Sequence, residues 1–146
     1  MRGSVDMYVN KKNKKIYLLK SYKTKIGYWK VMGYLIHTKQ ELLKEEILVC
    51  IRDSLSAYQQ DVEDTHPFKA SPYKTWNNFF KYHDYISIGY GIKDKTYSII
   101  MGKRDEKTYS YGGSVSNCEF TLTEEEFDER FDEIMDFLIS KVEMIK

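Results

Sequence analysis

The sequence predicts an α+β fold, in which a single domain spanning residues 1–146 contains a mainly antiparallel β-sheet, two long amphipathic helices and one short helix. The chain of 146 residues has the length of one domain. Its apolar content of 42% and charged content of 31% are typical of globular proteins, and no linker or repeat divides it. Candidate strands follow one another in runs, which favours an antiparallel sheet over strict alternation with helices.

Strands are predicted for most of the first 36 residues. Residues 15–22 form a short apolar run, typical of a strand that is buried on both faces. A lysine-rich turn at 11–14 connects it to an earlier strand around residues 7–9. Gly27 marks a further turn, after which residues 28–36 predict another strand.

The first long helix is predicted to begin at Thr38 and to end near Gln60. Thr38 and Glu41 have the spacing of a capping box, in which each side chain satisfies a free backbone N–H group of the first turn. Apolar residues then recur at helical spacing: Leu43, Ile47, Ile51, Leu55 and Tyr58. Residues 61–73 hold both prolines and predict a loop, and residues 74–82 predict the short helix.

A β-meander and the second long helix complete the chain. Residues 85–92 and 96–102 alternate between apolar and small or polar side chains, as two paired strands do. One more alternating strand contains Cys118, Phe120 and Leu122. Thr123 and Glu126 then form a second capping box, and a helix is predicted over 123–144 with a regular apolar stripe: Phe127, Phe131, Ile134, Leu138, Val142 and Ile145.

No motif of an enzyme or of a metal site is present, so we expect a protein without catalytic activity, cofactor or bound metal. The three histidines are isolated and lack metal-site spacing. His83, Asp84 and Ser71 could form a nucleophilic site only without the usual nucleophile elbow. Cys50 and Cys118 are expected to be small core residues.

The charge is unevenly distributed, although the formal net charge is only +1. Residues 1–73 carry 13 basic and 8 acidic residues, whereas residues 74–146 carry 10 basic and 14 acidic residues. The chain has neither an apolar stretch long enough to cross a membrane nor an N-terminal secretory signal. We therefore expect a cytoplasmic protein with no membrane partner and no overall attraction for nucleic acid.

The basic half concentrates eight lysines between residues 11 and 30, interleaved with Tyr17, Tyr22, Tyr28 and Trp29. Lysines among aromatic residues on strands have the composition of a platform for single-stranded nucleic acid. The alternative interpretation is a solvated edge hairpin that its lysines protect from aggregation. A small regulatory or nucleic-acid-binding protein that uses this hairpin is therefore the second functional hypothesis.

The acidic half contains one unusual helix face, offset from the apolar stripe and formed by Glu125, Glu129, Asp132 and Asp136. Like charges four residues apart destabilise a helix by about 0.2–0.5 kcal/mol per pair. Two explanations remain open at this stage. Either lysines from residues 11–30 cover this face within the fold, or the face binds a basic partner.

The order of elements also resembles a known family. A helix ending in LSAYQQ is followed by a polar loop with Pro67, then by KTWNNFFKY, YISIGYGI, KTYSIIMGK, YSYGG and the closing TLTEEEFDERFDEI helix. This order, with Trp76 and the strand pair after it, resembles the immunity proteins of contact-dependent growth inhibition systems. The resemblance covers about residues 42–138.

The resemblance implies a cytoplasmic, non-enzymatic protein that binds and neutralises the C-terminal toxin domain of a secreted effector. Such toxins are often nucleases, and the immunity protein covers their active site or substrate surface. For the toxin-binding residues we select Glu125, Glu129, Asp132 and Asp136, because an acidic face suits a basic nuclease. Tyr109 and Tyr111 are added, because a tyrosine-rich segment before Gly112 and Gly113 can supply aromatic anchors at a sheet edge.

Overall fold

A computed structural model describes residues 2–23, 29–32, 35–60, 75–104 and 111–142. Its strands are β1 (Arg2–Asn10), β2 (Ile16–Lys23), β3 (Trp29–Val31), β4 (Ile36–Thr38), β5 (His83–Gly91), β6 (Thr96–Arg104) and β7 (Tyr111–Thr123). Its helices are a 3₁₀ turn (Gln40–Leu42), α1 (Leu43–Gln60), α2 (Trp76–Tyr82) and α3 (Glu124–Lys141). The α+β fold predicted from the sequence, with two long helices and one short helix, is confirmed.

The seven strands form one antiparallel sheet in the order β3-β2-β1-β5-β6-β7. The short strands β3 and β4 both pair with β2, at opposite ends of its outer edge, so the sheet is six strands wide. The N-terminal strand β1 lies in the middle, between β2 and β5. Of the lysine-rich segment 11–30, β2 lies beside β1 and β3 lies at an edge of the described sheet, so the edge-hairpin interpretation of this segment stays open.

One face of the sheet carries the main core. Alternate residues of β1 point toward it, including Val5, Met7 and Val9, and α1 and α3 both pack there. The apolar stripe of α3 is buried from Phe127 to Val142, as the sequence predicts, and Phe127 and Phe131 are among the largest buried side chains. Ile145 lies outside the described residues. Full burial of each such side chain stabilises the fold by about 1.5–3 kcal/mol.

The first helix is held close to this face by a small residue and a hydroxyl group. A Cβ atom added at Gly3 would lie only 2.8 Å from the backbone oxygen of Ile51, so glycine permits the close approach of α1 to β1. The buried Ser54 hydroxyl donates to the carbonyl oxygen of Ser21 at 2.8 Å and accepts from the N–H group of Ser4 at 3.2 Å. These two hydrogen bonds fix α1 across β1 and β2.

The opposite face of the sheet carries a smaller core under α2. Phe79 of α2 is fully buried and packs edge-on against Tyr8, with ring centroids 4.8 Å apart, beside Leu19. Thr75 caps α2 by accepting a hydrogen bond from the N–H group of Asn78 at 3.1 Å. The side chain of Trp76 is outside the described part of the structure.

The predicted capping box at the start of the first helix is wrong. Thr38 is the last residue of β4, where it pairs with Ile16, and its hydroxyl donates to the carbonyl oxygen of Lys39. The 3₁₀ turn that follows has no side-chain cap, and α1 begins only at Leu43. Pairing with a distant strand has overridden the local signal, and it has also divided the strand predicted over 28–36 into β3 and β4.

The capping box of the second long helix is confirmed. The Thr123 hydroxyl accepts from the N–H group of Glu126, and the Glu126 carboxylate accepts from the N–H group of Thr123, both at 3.1 Å. These hydrogen bonds hold the pKa of Glu126 below its ordinary value. Because the box fixes the first residue of α3, it also fixes which side chains of the helix point away from the sheet.

Candidate partner-binding surface

The four acidic residues selected from the sequence lie together on the outer face of α3, and we refer to Glu125, Glu129, Asp132 and Asp136 as the acidic stripe. All four side chains are exposed. The opposite face of the same helix is anchored by Phe127, Phe131 and Leu138, which are buried against the sheet. The helix cannot rotate to hide the stripe without exposing this core.

The stripe has no ion-pair partner among the described residues. Asp136 accepts a hydrogen bond from the neutral Gln40 amide, at 2.5 Å. The neighbouring acids differ, because Asp128 pairs with Lys44 at 3.0 Å and Glu133 pairs with Arg130 at 2.7 Å. Counter-ions are therefore present beside the stripe but not on it.

Within the described part of the chain, lysines of residues 11–30 do not cover the stripe, which goes against the first explanation offered for it. All four of its residues are exposed, and Lys20 pairs instead with Asp53 of α1 at 3.3 Å. Two of the interleaved aromatic residues are also committed to the fold. Tyr22 is buried, and the Tyr17 ring packs against His37 and Phe79. The buried Tyr22 ring is therefore not available for stacking with nucleic-acid bases.

The two tyrosines selected as secondary contacts are not brought to the stripe by the described structure. Tyr109 is outside the described residues. Tyr111 is the first residue of β7, where its backbone pairs with Arg104, and its side chain is not described. Their assignment to the binding surface stays a prediction.

A pair of tyrosines that the sequence reasoning did not select lies at the N-terminal end of the stripe. The Tyr90 hydroxyl donates to the Glu124 carboxylate at 2.5 Å, and this hydrogen bond is the main reason that the pKa of Tyr90 rises to about 12. The Tyr90 ring packs on the Tyr97 ring, with ring centroids 4.7 Å apart, and the Tyr97 ring stacks on the Phe127 ring, with centroids 3.9 Å apart. The alternating pattern of β5 and β6 places both on one face, which was the available signal.

A groove lies on the other flank of α3, between the helix and β7, and we refer to it as the β7 groove. Its volume is about 310 Å³. Phe120, Ile134 and Phe137 supply apolar surface, and Asn117, Arg130 and Glu133 supply polar groups. Sequence reasoning missed this site because Phe137 falls outside the apolar stripe and its proximity to Phe120 depends on how α3 folds back on β7.

Of the residues considered for catalysis, Ser71 lies outside the described residues, and the others are buried. His83 and Asp84 are both buried and, as neighbours in a strand, point to opposite faces of the sheet. Cys50 and Cys118 are buried in the main core, as predicted, and burial raises the pKa of Cys50 to about 11, which disfavours the reactive thiolate. Among the residues described, no three His, Cys, Asp or Glu side chains are grouped as metal ligands.

Comparison with known proteins gives a similar fold without a function. No protein-family model matches the chain, and no curated protein matches it. A solved structure of NMB0488, a protein of unknown function from Neisseria meningitidis, is similar with a TM-score of 0.57 at 11% identity, and the match covers 97% of this chain and 95% of that one. At this identity the similarity shows a shared fold. No helix in the described part of the chain is long and apolar enough to cross a membrane.

Proposed function

We propose that this protein is an immunity protein that binds and neutralises a cognate contact-dependent growth inhibition toxin domain. It acts without catalysis, by covering the active site or substrate surface of a toxin that is a nuclease. It acts in the cytoplasm, where the nucleic-acid substrate of such a toxin is found. The resemblance in element order suggests the class of partner, and the exposed acidic stripe supports the mode of binding.

The acidic stripe is the observation on which the proposal depends. It places four carboxylates on one helix face, anchored from behind by a buried apolar face and without ion-pair partners among the described residues. A nuclease presents basic groups that hold phosphates, and a regular row of carboxylates offers those groups an alternative ligand. Charge complementarity of this kind accelerates association and excludes partners of the wrong sign.

The stripe has a cost in stability that a purely structural role does not explain. Glu125 and Glu129 are separated by one helical turn, as are Asp132 and Asp136, and each like-charge pair destabilises an isolated helix by about 0.2–0.5 kcal/mol. A lysine at one member of each pair would replace the repulsion by attraction without disturbing the buried face. A row of exposed acids is the pattern expected of a surface that binds a basic partner.

A neutralisation assay tests the proposal. The candidate toxin domain to be tested is the C-terminal region of the product of the gene directly upstream, expressed from an inducible promoter in a sensitive bacterium. Co-expression of this protein should restore growth, and the purified protein should abolish nuclease activity in a stoichiometric complex. Phe131→Ala, which weakens the core, serves as the control for loss of folding. Failure of the folded wild-type protein both to bind this domain and to restore growth would reject the assignment.

A further inference from the structure

One edge of the sheet is open to pairing within the described residues. There β7 pairs with β6 alone, and its regular part runs from Glu119 to Thr123, opposite Ile100 to Thr96. The strand is irregular before Glu119, where residues 114–119 of β7 span only Ile100 to Gly102 of β6 and Asn117 has a φ of 62°. Such a bulge ends regular pairing and redirects side chains, leaving 119–123 as the segment that a further strand can join.

The α3 side of this edge is apolar and has space for a side chain. The β7 groove lies there, and Phe120 of the strand packs edge-on against Phe137 of the helix, with ring centroids 6.3 Å apart. Phe137 is 39% exposed, whereas Ile134 beneath it is buried. The β7 groove has a volume of about 310 Å³, at the lower end of the range for ligand pockets. This volume suits one large apolar side chain.

The opposite side of the same edge is acidic. Glu119 precedes Phe120 in the strand, so its side chain points to the other face of the sheet, where it is exposed. A residue of an added strand that lies across from Glu119 is favoured when it is basic. The next residue of that strand points toward the β7 groove and is favoured when it is apolar. The edge therefore selects a strand in which basic and apolar side chains alternate.

The groove also supplies the contact area that the acidic stripe lacks. A stable protein–protein interface buries about 1,600 Å² in total, more than one helix face provides. The β7 groove adjoins the stripe on the same helix, since Glu133 lines the groove one turn after Glu129. Protein interfaces commonly combine an apolar side chain buried in a central pocket, which supplies much of the binding energy, with charged residues at the rim, which accelerate association.

We infer that β7 and the β7 groove bind an extended segment of the toxin domain, which adds as a strand along Glu119–Thr123 and inserts a large apolar side chain beside Phe137. The segment carries basic residues alternating with apolar ones, and a basic residue faces Glu119. This inference rests on the proposed function for the identity of the partner. The preference for an alternating strand rests on the edge and the groove themselves.

Two matched pairs of variants test the groove with the upstream-encoded toxin domain. Phe137→Ser removes the groove anchor, and Val49→Ser is its control, because Val49 is 42% exposed in α1, away from the groove. Glu119→Lys reverses the charge at the edge, and Glu45→Lys is its control on the exposed face of α1. We expect Phe137→Ser and Glu119→Lys each to weaken binding by about tenfold or more, while the controls bind like the wild type. Equal binding by Phe137→Ser and the wild type overturns the inference but leaves the proposed function standing.

A peptide experiment decides the inference independently of the toxin. The probe is a synthetic peptide of about seven residues in which leucine and lysine alternate, the length of a short strand. Its control has the same composition with the leucines and lysines in separate blocks. Amide signals of Glu119–Thr123 should shift in NMR spectra with the alternating peptide, and these shifts should be lost in Phe137→Ser. If those amides do not shift, or shift equally with both peptides, strand addition at β7 is rejected even when the toxin domain binds elsewhere.

Discussion

Two titratable groups, one partly buried and one fully buried, should give the stability of this protein opposite dependences on pH. Asp6 is partly buried on β1, where its carboxylate accepts hydrogen bonds from the Tyr85 hydroxyl at 2.8 Å and from the Ser21 hydroxyl at 3.5 Å. Burial outweighs these hydrogen bonds and raises its pKa from 3.8 to about 6. His83 is fully buried, with Nδ1 2.8 Å from the carbonyl oxygen of Phe79, and burial lowers its pKa from 6.5 to about 4.

The signs follow from the protons bound by each state. Between pH values of about 4 and 6, native Asp6 keeps a proton that the unfolded chain has released, so its contribution to stability falls as the pH rises. Over the same interval, the unfolded chain protonates His83 while the native state does not, so its contribution rises with pH. Each shift of somewhat more than two pKa units corresponds to about 3 kcal/mol, so the two effects nearly cancel.

Single substitutions should separate the two effects. In Asp6→Asn, which keeps an acceptor for Tyr85, the free energy of unfolding should rise by about 3 kcal/mol relative to the wild type between pH 4 and 6. In His83→Asn, which keeps a donor for the Phe79 carbonyl, it should fall by a similar amount relative to the wild type. The assay is urea unfolding followed by circular dichroism at several pH values, with the double variant as control. Single variants that both keep the wild-type pH profile would refute the reasoning.

Three further predictions concern α3. Phe131→Ala should lower the free energy of unfolding by about 3–5 kcal/mol because it leaves a cavity in the main core, whereas an unchanged urea midpoint would contradict its burial. Thr123→Ala should lower the free energy of unfolding by about 1 kcal/mol through loss of the cap, and Thr121→Ala, exposed on β7, should lower it much less, both measured by urea unfolding. Asp132→Asn should raise stability by about 0.5 kcal/mol at low salt because it relieves repulsion within the acidic stripe; a gain that persists at high salt would have another origin.

The elements that the sequence predicted well are those whose signals are local. Thr123 and Glu126 lie within one turn, so their capping box could be recognised from the sequence. This capping box sets the orientation of α3. Thr38 and Glu41 have similar spacing, yet Thr38 pairs with Ile16 of β2. A residue spacing cannot show such a distant pairing. The central position of β1 in the sheet was equally out of reach, because it depends on pairing with β5 across more than 70 residues.

The candidate surface was also predicted only in part, because the sequence shows its local features but not the contacts between distant elements. The acidic stripe follows from helical periodicity alone, and its exposure agrees with the offset from the apolar stripe. The β7 groove combines Phe120 of a strand with Phe137 of a helix, and their proximity depends on the tertiary packing of α3 on the sheet edge. The burial of His83 was also missed, since a lone histidine carries no periodic signal of burial.

The most direct test of the central claim is the association rate between this protein and the upstream-encoded toxin domain, measured by stopped-flow fluorescence at low and high salt. A quadruple variant is compared with the wild type after its folding has been verified by circular dichroism. It carries the substitutions Glu125→Lys, Glu129→Lys, Asp132→Lys and Asp136→Lys. Reversal of the acidic stripe should slow association by about tenfold or more at low salt, and the difference should shrink at high salt, where charges are screened. A folded variant that associates at the wild-type rate at low salt would contradict the account, because it would remove the acidic stripe from the interface.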